Sequence, residues 1–195
     1  ARAILAQLGI WETLPQAVRG VLQVADINID LPKARNVLIG SNGLSLAAMG
    51  AAYRSAKLHP QPLIGDVTEA VYKIRDMGRG AHVFGGETTV KLTGPGRGGR
   101  NQDLALRLAL LAEAEAWQAP WLYLQAGTDG RDGPTDAAGG VVCETTLAKI
   151  RAAGLDPAGL LDNNDAYPAL AAAGGLHITG ATGTNVADLG ILIRS

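Results

Sequence analysis

A single cysteine in 195 residues, Cys143, rules out a disulfide framework and any zinc site built on thiolates. It sits in the mostly apolar run Gly140 to Cys143 and reads as a small core residue. Aromatics are scarce too, at 4%, so the core must be built from Leu, Ala, Val and Ile, which suits helices packed on a buried sheet. Neither sign of charge is in excess. Lysine and arginine number 17 against 18 acids, a net charge of −1, which removes the electrostatic case for nucleic acid or an anionic membrane as partner. No apolar run reaches the roughly 18 residues that span a bilayer, and the longest, Leu104 to Ala112, is broken by Arg107. The reading is a cytoplasmic globular protein. The chain opens at Ala1 inside an amphipathic pattern, as a fragment would, and a targeting segment would then be missing.

What the chain does have is 47% hydrophobic residues, enough for a core, and 26 glycines that fall in clusters. Clustered glycine marks backbone that turns sharply or comes close to a ligand. The pattern predicts a helix stopped by Gly9, a short helix over 15–24, an apolar strand over 36–40 and a helix over 44–57 capped by Ser41 or Asn42. Next come a strand over 62–65 and a helix from Asp66 or Thr68 to Met77. Strands are then expected over 82–84, 88–92, 121–124, 176–179 and 189–193, with helices over 101–116, 145–153 and 166–173. Strands alternating with helices give an α/β class: a layered sheet, largely parallel at its centre or mixed, with helices on both faces. The weakest seam lies at Met77 to Ala81, where Gly78 and Gly80 frame Arg79, and it divides the chain into 1–79 and 80–195.

Three polar, glycine-rich segments sit where strands should end, the usual place for ligands in open α/β sheets. Gly94 to Gln102 combines glycines, Arg97, Arg100 and a helix start, all of which favour a phosphate or carboxylate. Its Gly94-x-Gly96-x-x-Gly99 spacing also fits a dinucleotide turn. That site, however, wants a buried apolar strand before it and an acid about 20 residues later, whereas Thr89 and Lys91 precede it and Asp129 lies 30 residues beyond Gly99. Gly127 to Gly140 holds Asp129, Asp132 and Asp136, suited to a shared cation or a base. It lacks the closing Glu of a calcium loop, and ordinary Asp-Gly turn chemistry is its plain alternative. Thr179 to Asp188 offers hydroxyls, an amide and two glycines as a cradle for phosphate or polyol. Glu87 stands at a further strand end, and Asp162 to Asp165 reads as a cap for the helix at 166. His59, His82 and His177 have no metal-ligand spacing, and neither a nucleophile elbow nor a Walker motif is present.

Four runs carry a resemblance: Phe84-Gly-Gly-Glu-Thr-Thr-Val90, Gly96-Arg-Gly-Gly-Arg-Asn-Gln-Asp-Leu-Ala-Leu106, Gly127-Thr-Asp-Gly-Arg-Asp-Gly-Pro-Thr-Asp-Ala-Ala-Gly139 and Thr179-Gly-Ala-Thr-Gly-Thr-Asn-Val186. In this order they are similar to the successive signatures of the MOFRL domain of class II glycerate 2-kinases, a family in which some members carry the name hydroxypyruvate reductase. The resemblance covers about 80–193. Residues 1–79, with Ile39-Gly-Ser-Asn42, resemble the end of the family's other domain and its linking region. Ala181 stands where the family usually has Pro, Ala187 where Asn is common, and Asp66 where Glu is usual.

The resemblance implies ATP-dependent phosphorylation of D-glycerate at its 2-hydroxyl, with Mg2+, in a cleft between two domains. The N-terminal half, with a lysine and a Ser-Gly-Pro-Thr segment, would be the partner domain, and a homodimer is a further expectation. Joined to the loop chemistry, it assigns Arg100, Asp129 and Asp132 to catalysis. Gly96, Arg97, Gly98, Gly99, Asn101, Thr135, Thr182, Thr184 and Asn185 would bind substrate and phosphate, and Asp129, Asp136 and Glu87 the metal. This piece alone would fold but not turn over. The rivals are a NAD(P)H-dependent hydroxypyruvate reductase and a non-catalytic binding or assembly module.

Overall fold

The computed structural model describes residues 2–24 and 37–195, and the chain divides into two compact units, Ala1–Leu38 and Ile39–Ser195. The first holds α1 (Arg2–Gln7), a 3-10 turn (Trp11–Thr13) and α2 (Gln16–Gln23). Gly9 ends the first helical stretch at φ +69°, a left-handed value that glycine adopts without strain.

In the second unit α3 (Asn42–Ala52), β1 (Lys57–Asp66), α4 (Val67–Arg75), β2 (Gly80–Thr89), α5 (Arg100–Ala114) and β3 (Trp121–Gly127) come first. After them come β4 (Gly139–Cys143), α6 (Thr146–Ala152), α7 (Pro157–Asp162), α8 (Ala166–Ala173), β5 (Leu176–His177) and β6 (Asp188–Arg194). Ser41 caps α3 by accepting from Leu44 N–H, Asp66 caps α4 from Thr68 N–H, and Asp156 caps α7 ahead of its first-turn Pro157. Because β1 pairs with β2, α3 and β1 share one compact unit with the strands and helices beyond residue 80.

The sheet is mixed, in the order β1-β2-β6-β3-β4-β5. Among the described residues only β1 and β2 pair parallel and the other pairs are antiparallel, so of the two expected sheet types, largely parallel at its centre or mixed, the mixed one forms. The physical reason lies in β6. Strands β2 and β3 run in the same direction with α5 between them in sequence, as a crossover unit should. They leave one position open, and the last strand fills it antiparallel to both. A local pattern of strand, helix and strand carries no record of a strand inserted from 60 residues further on.

Phe84, Tyr123, Val142 and Leu192 pack with Leu104, Leu108, Ile150 and Leu170 into the main core beneath the helices that come after β1. Helix α3 lies on the other face: a Cβ on Gly85, which alternates with Phe84, would meet the Asn42 side chain. Three elements have no counterpart in the predicted pattern: the 3-10 turn Trp11–Thr13, β4, whose two glycines weaken its strand pattern, and the one-and-a-half-turn α7. The predicted strand over 36–40 is not formed by 37–40, while Asn36 lies outside the described residues; Ile39 is 95% exposed and no strand pairs with it. An apolar run becomes a strand only beside a partner that takes its backbone hydrogen bonds.

Candidate functional site

The carboxyl ends of β1, β2 and β3 and the start of β6 meet at one edge, where Asp188 pairs with Gly86 on one side and Gly127 on the other. The three glycine-rich loops all leave from this edge. At its centre stands Arg100, first residue of α5. Its Nε and Nη2 donate to the two oxygens of Asp188 at 2.7 and 2.8 Å, and Glu87 Oε1 lies 3.3 Å from Nη2. Asp188 is fully buried, whereas about a third of the Arg100 side chain stays open to solvent. A bidentate pair with a buried carboxylate fixes the guanidinium in direction as well as charge. The Asp188 hydrogen bond is the main influence holding the guanidinium above its ordinary pKa, with the Asp188, Glu87 and Asp132 charges helping. Asn42 secures the same point from α3, its Nδ2 donating to the carbonyls of Val186 and Asp188, each at 2.9 Å. Arg100 borders a cavity of about 610 Å³ with Glu87, Thr88, Gly99, Asp132 and Pro134.

Asp132, assigned to catalysis from the sequence, is placed differently. It is buried, and its two oxygens accept from Asn101 N–H (3.1 Å) and Gln102 N–H (2.8 Å) in the first turn of α5. The helix N-terminus, the natural seat for a ligand anion, is thus filled by the protein's own carboxylate. Burial raises this carboxyl to about 6 against the pull of those backbone donors. Asp132 caps the helix and borders the Arg100 cavity at the same time. Thr135 belongs to the same turn, with Oγ1 donating to Asp132 C=O at 2.8 Å and accepting from Gln102 Nε2 at 2.9 Å. Asn101 is fully buried, with no partner for its side-chain amide.

The arginine-bearing loop departs furthest from expectation. Three of its amides are already taken: Gly94 N–H donates to Asn164 Oδ1 (2.9 Å), Gly96 N–H to Asn163 C=O (2.9 Å) and Arg97 N–H to Asp165 Oδ1 (2.8 Å). Gly94, Gly96 and Gly98 make room for that segment and Gly99 for Asp132. A Cβ would fall 2.2 Å from Asn163 Oδ1 at Gly94, 2.3 Å from Asn163 O at Gly96 and 2.3 Å from Asp132 Cγ at Gly99. At Gly98 the nearest atom, Asn164 O, would be 3.2 Å away. The loop is therefore packed on 162–167, with Gly94, Gly96 and Arg97 offering no amide to a phosphate. Asp165, expected to cap α8, makes no cap bond there and holds this loop instead. The dinucleotide reading fails on topology, because β6 is antiparallel to β2 where that fold needs a parallel neighbour.

Arg97 is turned away to the surface. It lies over the Tyr167 ring at 4.0 Å and 3.6 Å from Asp136, whose Oδ1 accepts from Tyr167 Oη at 2.7 Å. Asp129 Oδ1 accepts from Arg131 N–H at 3.0 Å, and Asp129 lines a second cavity of about 490 Å³ with Arg131, Thr135, Asp136, Gly180 and Ala181. The third loop is stitched to the second. Thr182 Oγ1 donates to Thr128 C=O at 2.5 Å, and Val186 N–H to Thr128 Oγ1 at 2.8 Å. Asn185 Oδ1 accepts from Ala187 N–H at 3.1 Å, and Thr184 is exposed. Arg100, Asp129 and the third loop thus share one edge; of the carboxylates expected to hold a metal, Asp129 and Asp136 line the second cavity while Glu87 stands at the first. Glu87 faces Arg100, Asp136 faces Tyr167 and Arg97, and no group of three or more His, Cys, Asp or Glu comes together among the described residues. The residues the sequence reading missed are Asp188, Asn42 and Tyr167. In sequence Asn42 reads only as a helix cap and Asp188 only as the end of the third loop, and Tyr167 leaves no trace.

The MOFRL family matches residues 80–188. A glycerate 2-kinase of Pyrococcus horikoshii is 37% identical over 218 residues, covering 99% of this chain and 48% of its own length. A D-glycerate 2-kinase of Thermotoga maritima is 53% identical over 109 residues, 56% of this chain and 25% of its own. The crystal structure of a glycerate kinase from Thermotoga maritima superposes with a TM-score of 0.81 at 35% identity, over 99% of this chain and 49% of that one. The chain spans about half the length of the curated relatives it matches across its whole extent. With more than half of its residues matched by the family and its loops meeting at one edge, the chain belongs to the MOFRL family.

Proposed function

We propose that this chain supplies one wall of the active site of an ATP-dependent glycerate 2-kinase, which converts D-glycerate and ATP to 2-phosphoglycerate and ADP. One observation carries the reading: Arg100 is fixed by buried Asp188 and by Glu87 at the mouth of a 610 Å³ cavity, in a chain whose relatives are named glycerate kinases. Phosphoryl transfer asks a protein chiefly to position oxyanions and offset their charge. Arg100 does both for an anionic oxygen of the substrate, and its preset direction spares reorganisation during the reaction. Asp129, half-buried beside the second cavity, is the carboxylate suited to Mg2+, an ion that takes one or two carboxylates together with substrate phosphates. A cage of Asp129, Asp136 and Glu87 does not fit the structure. When bound, ATP supplies the phosphoryl group and Mg2+ offsets its charge.

The other half of the protein would provide the opposing wall, including the lysine, so the 195-residue chain by itself is inactive. A cytoplasmic location belongs to the same reading; no helix among the described residues is long and apolar enough to cross a membrane. The test is a coupled assay on the full-length protein with D-glycerate and ATP, and separately with hydroxypyruvate and NADH. ADP formation dependent on glycerate, without NADH oxidation, is expected. NADH oxidation without ADP formation would establish the reductase instead.

A further inference from the structure

Buried polar side chains are almost always hydrogen-bonded, so the exceptions mark places where a partner is missing. Among the described residues the buried side-chain atoms without a partner are Thr88 Oγ1, both polar atoms of the Asn101 amide and Gln102 Oε1. They are not scattered. Asn101 and Gln102 come directly after Arg100 in the first turn of α5, and Thr88 comes directly after Glu87 at the end of β2. Of these residues Thr88 is the one that lines the Arg100 cavity, together with Glu87, Gly99 and Arg100 itself. It is only 2% exposed. Thr88 lines a cavity whose fixed cation is a guanidinium, and its orphan hydroxyl, itself covered in the ligand-free protein, has its natural partner in an oxyanion held by that cation once a small side-chain shift opens it to the cavity.

We propose that Thr88 is a substrate-contacting residue, its hydroxyl donating to an oxygen of the oxyanion that Arg100 holds. The oxyanion has two possible sources in the proposed reaction, the carboxylate of the hydroxy acid and the terminal phosphate of the nucleotide, and they share this chemistry. The proposal rests on the kinase reading for the identity of these ligands but not for the orphan hydroxyl. Val has nearly the shape of Thr without the hydroxyl. A hydroxyl that bonds within the protein costs stability when removed, whereas one that lacks a partner in the free protein does not. Thr88→Val should therefore leave the thermal midpoint of the ligand-free protein unchanged or raised while weakening the ligand. A lost hydrogen bond to a charged group corresponds to about tenfold or more in KM.

The experiment compares wild type, Thr88→Val and Thr88→Ser in the full-length protein. Melting is monitored with no ligand, with D-glycerate and with ATP, alongside KM for each substrate. Expected for Thr88→Val is an undiminished ligand-free midpoint with a reduced upward shift and a raised KM for at least one substrate; Thr88→Ser should stay near wild type. A KM change confined to glycerate would identify the carboxylate, and one confined to ATP the phosphate. A ligand-free midpoint lowered in Thr88→Val, or unchanged KM and melting shift for both substrates, would overturn the proposal. If wild type makes no ADP, the kinase reading falls, but the ligand-free midpoints and the shifts with glycerate and ATP still decide the role of Thr88.

Discussion

Arg97 and Arg100 lie three residues apart in one glycine-rich run, and in sequence nothing separates them. In the structure they belong to different regions. Arg100 opens α5, is gripped by a buried carboxylate and borders a large cavity beside an unpartnered hydroxyl. Arg97 sits on a loop fastened to 162–167, stacked on Tyr167 at the surface. A surface pair of this kind contributes little, whereas a bidentate pair with a buried partner sets a side chain in place. Glycine and arginine together do not make an anion site. What matters is whether the backbone donors and the charge still have unused capacity facing a cavity.

The largest effect expected from this contrast is in amide exchange. Gly94, Gly96 and Arg97 should exchange at least about a hundredfold more slowly than free amides in the ligand-free protein, because each already donates to 162–165. A phosphate cradle would instead show fast exchange there until ligand is added, and that result in hydrogen-exchange mass spectrometry would erase the distinction between the two regions.

A pH effect sharpens the Arg100 side. The Asp132 carboxyl titrates at about 6 when folded against an ordinary 3.8, so the folded state holds its proton more tightly. Its stabilising contribution is complete below 3.8 and is lost as pH rises through about 6. In chemical denaturation, wild type should therefore lose stability relative to Asp132→Asn across that window, with Arg100 and Asp188 as the charged neighbours. A difference that does not vary with pH would mean the carboxylate is not buried under α5.

The smallest effect concerns Ala187, whose φ of +66° is a left-handed value that Asn tolerates better than Ala. It lies just before Asp188 and accepts from Thr128. Ala187→Asn should stabilise by roughly 0.5–1 kcal/mol, seen as a higher thermal midpoint. A lower midpoint would show that the backbone before Asp188 is set by other constraints.

How much of this is legible in the sequence divides along the same contrast. Helix caps such as Ser41 and Asp66 act over three residues, and their sequence signal matches the structure. The gathering of the loops at strand ends is implied by strand and helix alternation. Contacts across long sequence separations are not legible: β6 slotted between β2 and β3, Asp188 reaching Arg100 from 88 residues away, and Asn163 to Asp165 claiming the amides of Gly94, Gly96 and Arg97. Asp132 misleads for a related reason. A carboxylate in an Asp-Gly loop looks displayed, and only the fold reveals that a helix end covers it.

If Arg100 rather than Arg97 holds the anion, the two arginines must part in the steady-state kinetics of Arg100→Ala and Arg97→Ala in the full-length protein, with glycerate and ATP. Arg100→Ala should lower kcat/KM by about 10²–10³, and Arg97→Ala by less than about tenfold, as for an exposed ion pair. Equal losses, or a larger loss for Arg97→Ala, would contradict the account.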